Sequence, residues 1–185
     1  MSRGRRGHDP RASSESDRNV TLRRNAAGLD LRANLLGSSP SDYGLKPTAE
    51  LPRVWAAIMD IGMRNGGASI VAVADGSASM YTSTGGGMIG AGEHPSGRAA
   101  GLHFLRIVER VLDAMRPTAD APLPSAGEYA FVALTYDGKR RATEAEGKLS
   151  QPTHPLFAAF VAGHELTTAM RLLQEELRGK TTEKP

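Results

Sequence analysis

Apolar residues along this chain follow two spacings, one helical and one alternating, and the regular stretches begin only after residue 47. The first stretch, residues 48–67, ends at Asn65-Gly66-Gly67, a combination that stops helices. Its larger apolar residues stand at near-helical spacing: Val54, Trp55, Ile58 and Ile61. This pattern predicts a first helix over residues 48–67.

Two later stretches predict β-hairpins. Residues 70–74 form an apolar run that reaches Asp75-Gly76, a pair typical of tight turns, and the chain then returns through Met80 and Tyr81. Residues 128–149 repeat the arrangement, with alternating side chains before the Asp137-Gly138 pair. With one further strand after the second hairpin, the sequence predicts an antiparallel sheet of about five strands.

Two amphipathic stretches predict longer helices. Residues 94–117 carry a broad apolar stripe that ends at a proline, and residues 154–179 carry a closing stripe. Each stretch begins with a His-Pro pair, and proline is favoured in the first helical turn. The predicted fold class is α+β, a single domain over residues 48–180 in which helices sandwich the sheet in the order α-β-β-α-β-β-(β)-α.

The first 47 residues differ in composition from the rest. They are rich in Arg, Ser, Asp and Gly and nearly lack aromatic residues, so we expect a disordered tail that cannot bury enough apolar surface to offset its ordering entropy. Within it, residues 21–37 carry several leucines around Gly28. This segment is interpreted either as a plain linker or as a sequence that folds on a partner.

Charge is also uneven along the chain. Residues 1–47 hold nine Arg and Lys against five Asp and Glu, whereas residues 48–185 hold fourteen against fifteen. The folded part therefore lacks the basic excess of a nucleic-acid-binding domain, and nucleic acid is expected to bind only weakly, through the tail. The chain has no cysteine. It also shows neither a secretory signal nor an apolar stretch that could span a membrane, so a cytoplasmic protein is expected.

The segment from Ser83 to Pro95 holds five glycines in thirteen residues and contains the spacing of a dinucleotide-binding loop. That loop requires a parallel strand before it and an acid at the end of a second strand, and neither fits a hairpin followed by a helix. The glycines are therefore interpreted as a sharp junction. The candidate ligand or functional residues in it are Thr84, Gly85, Gly86, Gly87, Gly90, Glu93 and His94.

Other motifs of catalysis are incomplete. The sequence from His164 to Thr168 begins like a zinc-protease helix, but Thr168 stands where the second ligand belongs. The Gly179-Lys180-Thr181 sequence lacks the first glycine of a phosphate-binding loop, and no helix follows it. The sequence thus predicts no catalytic residue, no metal site and no cofactor, and a non-enzymatic protein is favoured.

Three consecutive cations follow the second predicted turn: Lys139, Arg140 and Arg141. They could bind a phosphate group. The other interpretation is a solvated edge strand whose charges discourage pairing with other chains, as edge strands commonly do.

The order helix, hairpin, long helix, hairpin and helix over about residues 50–178 is similar to that of the roadblock family of dynein light chains, whose domains are profilin-like. The sequence from Ser69 to Gly86 resembles the central hairpin of that family. The resemblance implies a homodimeric scaffold that acts on a protein partner, such as a small GTPase. No functional residue of the family is carried over by this resemblance.

We therefore expect a homodimeric interaction or regulatory module that binds a protein partner. The apolar stripe of the helix predicted over residues 94–117 is wider than one sheet face needs, and Ile107 and Val111 point away from its main line. These two residues are the candidate dimer face. The alternative is a small-molecule-binding domain or enzyme that uses the junction from Gly85 to His94.

Overall fold

The computed structural model describes the backbone of residues 31–182 and the side chains of residues 31–179. This part of the chain forms a sheet with helices on both faces. The strands are β1 Val54–Met63, β2 Gly66–Val73, β3 Ala78–Thr82, β4 Gly87–Met88, β5 Arg116–Thr118, β6 Glu128–Thr135 and β7 Gly138–Ala145. The α-helices are α1 (helical through residue 37), α2 Pro95–Val111, α3 Glu146–Leu149 and α4 Phe157–Thr182.

All neighbouring strands of this sheet are antiparallel, and their spatial order in the described residues is β4-β3-β2-β1-β6-β7-β5. The predicted α+β class with an antiparallel sheet is thus confirmed. The predicted number of strands and the predicted order are not, because β1, β4 and β5 were not foreseen. In place of the further strand predicted after the second hairpin, β7 is followed by the short helix α3. Among the described helices, none is long and apolar enough to cross a membrane.

The largest error concerns residues 48–67, which contain strand β1 and the start of β2 instead of a helix. Strand β1 lies at the centre of the sheet, between β2 and β6, and nine of its ten residues are buried or half-buried. A strand covered on both faces is apolar at almost every position, so its sequence lacks the alternation that identifies a half-exposed strand. Arg64 and Asn65 form the turn to β2, where Met63 pairs with Gly66.

The elements with strong local signals are confirmed. The β2–β3 turn contains Asp75 and Gly76, and the β6–β7 turn leads through Asp137 into Gly138. Helix α2 begins at Pro95, directly after His94, as predicted. Helix α4 begins at Phe157, so Pro155 lies in the turn before it and the predicted place of this proline in the first helical turn is wrong. Where the prediction holds, a few adjacent residues carry the signal through their backbone preferences.

Helices α2 and α4 cover one face of the sheet and enclose its larger apolar cluster. Phe104 and Leu105 of α2 and Leu166 and Met170 of α4 are fully buried there against Met59 of β1. Gly163 lets α4 approach the sheet closely, because a Cβ at this position would overlap the Met59 sulfur.

The other face of the sheet is covered by residues 31–47 and by the loop before β6. Leu35 of α1 is buried with Trp55 and Ile58, and Leu45 and Ala121 pack against the same cluster. The Tyr43 ring also lies on this face, with its centroid 5.6 Å from that of Trp55. Residues 31–47 therefore belong to the domain, and their prediction as part of a disordered tail is wrong; residues 1–30 lie outside the described range.

A buried ion pair fixes α1 to the sheet. The Arg32 guanidinium donates from Nε to Asp60 Oδ1 at 3.0 Å and from Nη2 to Oδ2 at 2.6 Å, while the Ser69 hydroxyl donates to Oδ1 at 2.6 Å. Arg32 Nη2 also donates to the Ala121 carbonyl oxygen, at 2.6 Å. Asp60 is fully buried and Arg32 is only 8% exposed. Nearby Tyr81 is also buried, and this burial, with the Asp60 charge, raises the pKa of its hydroxyl.

Candidate functional site

The glycine-rich segment forms the turn from β3 to β4 and the junction to α2. Gly85, Gly86 and Gly87 have φ values of 83°, 125° and 140°, which residues with a side chain rarely adopt. A Cβ on Gly87 would overlap the Met80 carbonyl oxygen of the neighbouring strand. These glycines are therefore explained by backbone conformation and close approach, as the junction interpretation predicts.

Gly87→Ala is expected to destabilise the protein more than Gly86→Ala. Both variants strain the backbone, by about 1–3 kcal/mol, but only the Gly87 variant adds an overlap with a strand. A Cβ on Gly86 has as its nearest atom the Thr82 hydroxyl oxygen, 4.0 Å away. Urea denaturation of both variants measures the difference in the free energy of unfolding. Equal stabilities would contradict the close approach of β4 to β3.

A cavity of about 310 Å³ lies between the N-terminal end of β3 and the start of α2. Its polar side chains are those of Ser77, Ser79, Glu93 and Arg98, and Ile89 borders it. Of the seven candidate residues of this segment, only Gly90 and Glu93 line this cavity.

The other five candidates do not line this cavity. Thr84, Gly86 and Gly87 are exposed at the β3–β4 turn, where Gly85 is half-buried. His94 precedes α2, and its backbone carbonyl accepts the Arg98 N–H at 2.9 Å. The segment thus brings two of its seven candidates together, and binding of a small molecule here stays a prediction.

The candidate dimer residues on α2 are partly covered within the chain. Ile107 and Val111 are half-buried and pack against the cluster on the face where α2 and α4 lie against each other. The surplus apolar face that the sequence indicates on α2 is therefore smaller than expected.

An exposed apolar face lies instead on the outer side of α4. Val161 is 36% exposed and Leu172 is 53% exposed. The face between them forms an open groove of about 550 Å³ lined by Phe160, Val161, His164, Glu165, Thr168, Ala169 and Leu172. The sequence pattern predicted an amphipathic helix here, but not which part of its apolar surface the sheet would leave uncovered.

His164 is the titratable group embedded in this face. Its ring packs edge-on against the Phe160 ring, with 4.6 Å between the two centroids. The centroid of the Tyr129 ring lies 5.6 Å away. Its Nε2 atom is buried with no hydrogen-bond partner, and burial lowers the pKa of the imidazole. The neutral imidazole is therefore favoured, which keeps the groove apolar despite Glu165 at its rim.

The three cations after the β6–β7 turn hold neighbouring segments in place. Lys139 Nζ lies 3.4 Å from the Leu36 carbonyl oxygen, Arg140 Nη1 lies 3.4 Å from that of Met115, and Arg141 Nη2 lies 3.0 Å from that of Pro122. Each therefore donates to a backbone carbonyl of a segment that lies beside β7. The same three residues are half-buried and pair with β5, so the interpretation of a solvated edge strand is wrong at these positions, and a phosphate patch gains no support.

A notch of about 500 Å³ interrupts the outer edge of the sheet beside Arg116, the first residue of β5. It is lined by Ala114, Arg116, Pro117, Thr118, Arg141, Ala142, Thr143, Glu144, His154, Pro155 and Leu156. The sequence did not indicate this site, because it depends on where the three-residue strand β5 begins to pair with β7. Over residues 31–179 there is no cluster of three His, Asp or Glu side chains that could hold a metal ion.

Comparison of the chain with protein-family models, with curated proteins and with solved structures returns no match. The resemblance to the roadblock family therefore stays a prediction from the order of elements.

Proposed function

We propose that this protein is a non-enzymatic interaction or regulatory module that forms a homodimer through the outer face of α4. The observation that carries the proposal is the symmetric spacing of that face. Val161 and Leu172 are its exposed apolar ends, and Glu165 and Thr168 lie between them. A two-fold axis midway between these four positions places Val161 opposite Leu172 of the second copy.

The same axis places Glu165 opposite Thr168 of the second copy, so a hydroxyl can donate to a carboxylate, and His164 opposite Ala169. A two-fold interface uses one patch on both copies, so such a patch must be complementary to itself in this way. The proposed antiparallel α4 pair differs from the face that Ile107 and Val111 would form on α2. A small GTPase or another protein as the regulated partner is an expectation from the roadblock resemblance.

The proposed contact is small. The four positions span twelve residues, which is about 18 Å of helix, so the buried area falls below that of most stable dimers. We therefore expect reversible association with a Kd on the order of 100 µM, equivalent to about −5.5 kcal/mol.

Leu172→Glu is expected to abolish this dimer, because it places a carboxylate in the apolar end of the contact. Sedimentation equilibrium at about 20 to 500 µM brackets the expected Kd and should show concentration-dependent dimerisation of the parent only. Ile89→Glu is the matched control, since Ile89 is 70% exposed and does not line the groove on α4. A monomeric parent over this range, or a dimer that survives Leu172→Glu, would exclude this interface.

A further inference from the structure

The outer edge of β7 is covered over only part of its length. Strand β5 pairs with Lys139, Arg140 and Arg141, and no other strand in the described part of the chain lies beyond β7. Beyond this pairing, residues 142–144 of β7 line the notch of about 500 Å³. The chain thus adds a short strand of its own to one half of this edge and leaves the other half open.

The register shows which backbone groups point into the notch. Thr135 pairs with Gly138 across a two-residue turn, so this pair is hydrogen-bonded in the antiparallel ladder. Hydrogen-bonded and non-hydrogen-bonded pairs alternate, so residues 138, 140, 142 and 144 direct their N–H and C=O groups toward β6. Residues 139, 141 and 143 direct theirs outward.

The position of Pro117 agrees with this assignment. Pro117 has no N–H and lies opposite Arg140, whose backbone groups point toward β6 and need no donor from β5. Arg141 is the last outward-facing residue that β5 pairs, opposite Arg116. The N–H and C=O of Thr143 therefore face the notch without a strand partner, whereas the next outward N–H, that of Ala145, donates to the Glu144 carboxylate at 3.0 Å.

Charges around the notch favour an acidic ligand. Arg116, the first residue of β5, is exposed at one end of the notch. The carboxylate of Glu144 is already occupied by Lys148 at 3.1 Å and lies 3.9 Å from His154 Nε2. Its pKa is lowered by the backbone hydrogen bond from Ala145 and by Lys148. Arg141 also lines the notch, but it is half-buried and its Nη2 donates to the Pro122 carbonyl oxygen. The exposed guanidinium of Arg116 is therefore the cation that an incoming group can reach.

We propose that this notch binds an extended, acidic peptide segment of a protein partner, which adds a strand to β7 at Thr143 and places a carboxylate against Arg116. Strand addition at an exposed sheet edge is a recurring mode of peptide recognition, in which backbone hydrogen bonds supply affinity and alternate side chains supply selectivity. The site is separate from the outer face of α4 and does not depend on self-association.

The probe is a fluorescein-labelled hexapeptide of alternating Glu and Val, titrated into the full chain. Saturable binding with a Kd between about 10 µM and 1 mM is expected, together with a shift of the Thr143 amide resonance. A Lys-Val peptide should bind about tenfold more weakly, and Arg116→Glu should reverse this preference. Leu172→Glu should bind the Glu-Val peptide as the parent does, which separates this test from that of the dimer.

Two N-methylated forms of the peptide, one methylated at the Glu nitrogens and one at the Val nitrogens, test strand addition without altering the protein. One form must lose binding, because a strand added to β7 donates alternate N–H groups to it. No saturation by about 1 mM, equal binding of both methylated forms, or an unshifted Thr143 amide would overturn the proposal. So would a Thr143 amide that shifts on dilution of the free protein, since a second copy would then occupy the edge.

Discussion

Arg32→Ala is expected to lower the free energy of unfolding by about 3–5 kcal/mol, because it leaves a buried carboxylate without its cation. Asp60 is fully buried, and two of its three hydrogen-bonding partner atoms belong to Arg32, the third being the Ser69 hydroxyl. Urea denaturation followed by tryptophan fluorescence measures the loss, since Trp55 lies in the cluster on the same face.

Arg106→Ala is the matched control for this prediction. Arg106 also pairs with a carboxylate, that of Glu50 at 2.7 Å, but the two side chains are 40% and 70% exposed. An exposed pair of this kind contributes less than about 1 kcal/mol. A loss for Arg32→Ala as small as that for Arg106→Ala would show that Asp60 does not depend on α1.

A chain that begins at Thr48 is expected to lose cooperative unfolding altogether. It lacks both Arg32 and Leu35, so it leaves Asp60 unpaired and exposes the apolar face that contains Trp55 and Ile58. The unpaired charge alone removes about 3–5 kcal/mol from a total that is typically 5–15 kcal/mol.

The reference for this truncation is a chain that begins at Leu31, which keeps every contact described for α1. The comparison of these two chains measures the contribution of residues 31–47 to stability. Thermal unfolding by circular dichroism should show a transition for the Leu31 chain and none for the Thr48 chain. Midpoints within a few degrees of each other would restore the view that the domain begins at residue 48.

The parts of the fold that could be predicted from the sequence are those decided by neighbouring residues. Asp75-Gly76 and Asp137-Gly138 specify turns through their own backbone preferences, and the stripes of α2 and α4 repeat over many turns of helix. Strand β1 could not be predicted in this way. Its apolar residues are buried by the neighbouring strands β2 and β6 and by the segments that cover the two faces of the sheet. The sequence of β1 itself does not indicate any of these contacts.

Contacts between distant segments decide the remaining features. Arg32 and Asp60 are 28 residues apart, so nothing in the sequence of residues 31–47 shows that α1 covers the sheet. Strands β4 and β5 have two and three residues, and pairing rather than propensity makes them strands. The glycine junction could be predicted because its residues are neighbours in the sequence. The notch beyond Arg116 and the exposed side of α4 depend on contacts between distant segments, so they could not be predicted.

The proposed dimer is tested most directly by disulfide trapping, which the absence of natural cysteine makes simple. With the two-fold axis midway along the face, Val161 lies opposite Leu172 of the second copy. A 1:1 mixture of the Val161→Cys and Leu172→Cys chains should therefore form a crosslinked dimer under mild oxidation. Each variant alone should not, because its two cysteines are eleven residues, about 16 Å, apart along the helix axis. Equal crosslinking of either variant by itself, or none in the mixture, would contradict the antiparallel α4 interface.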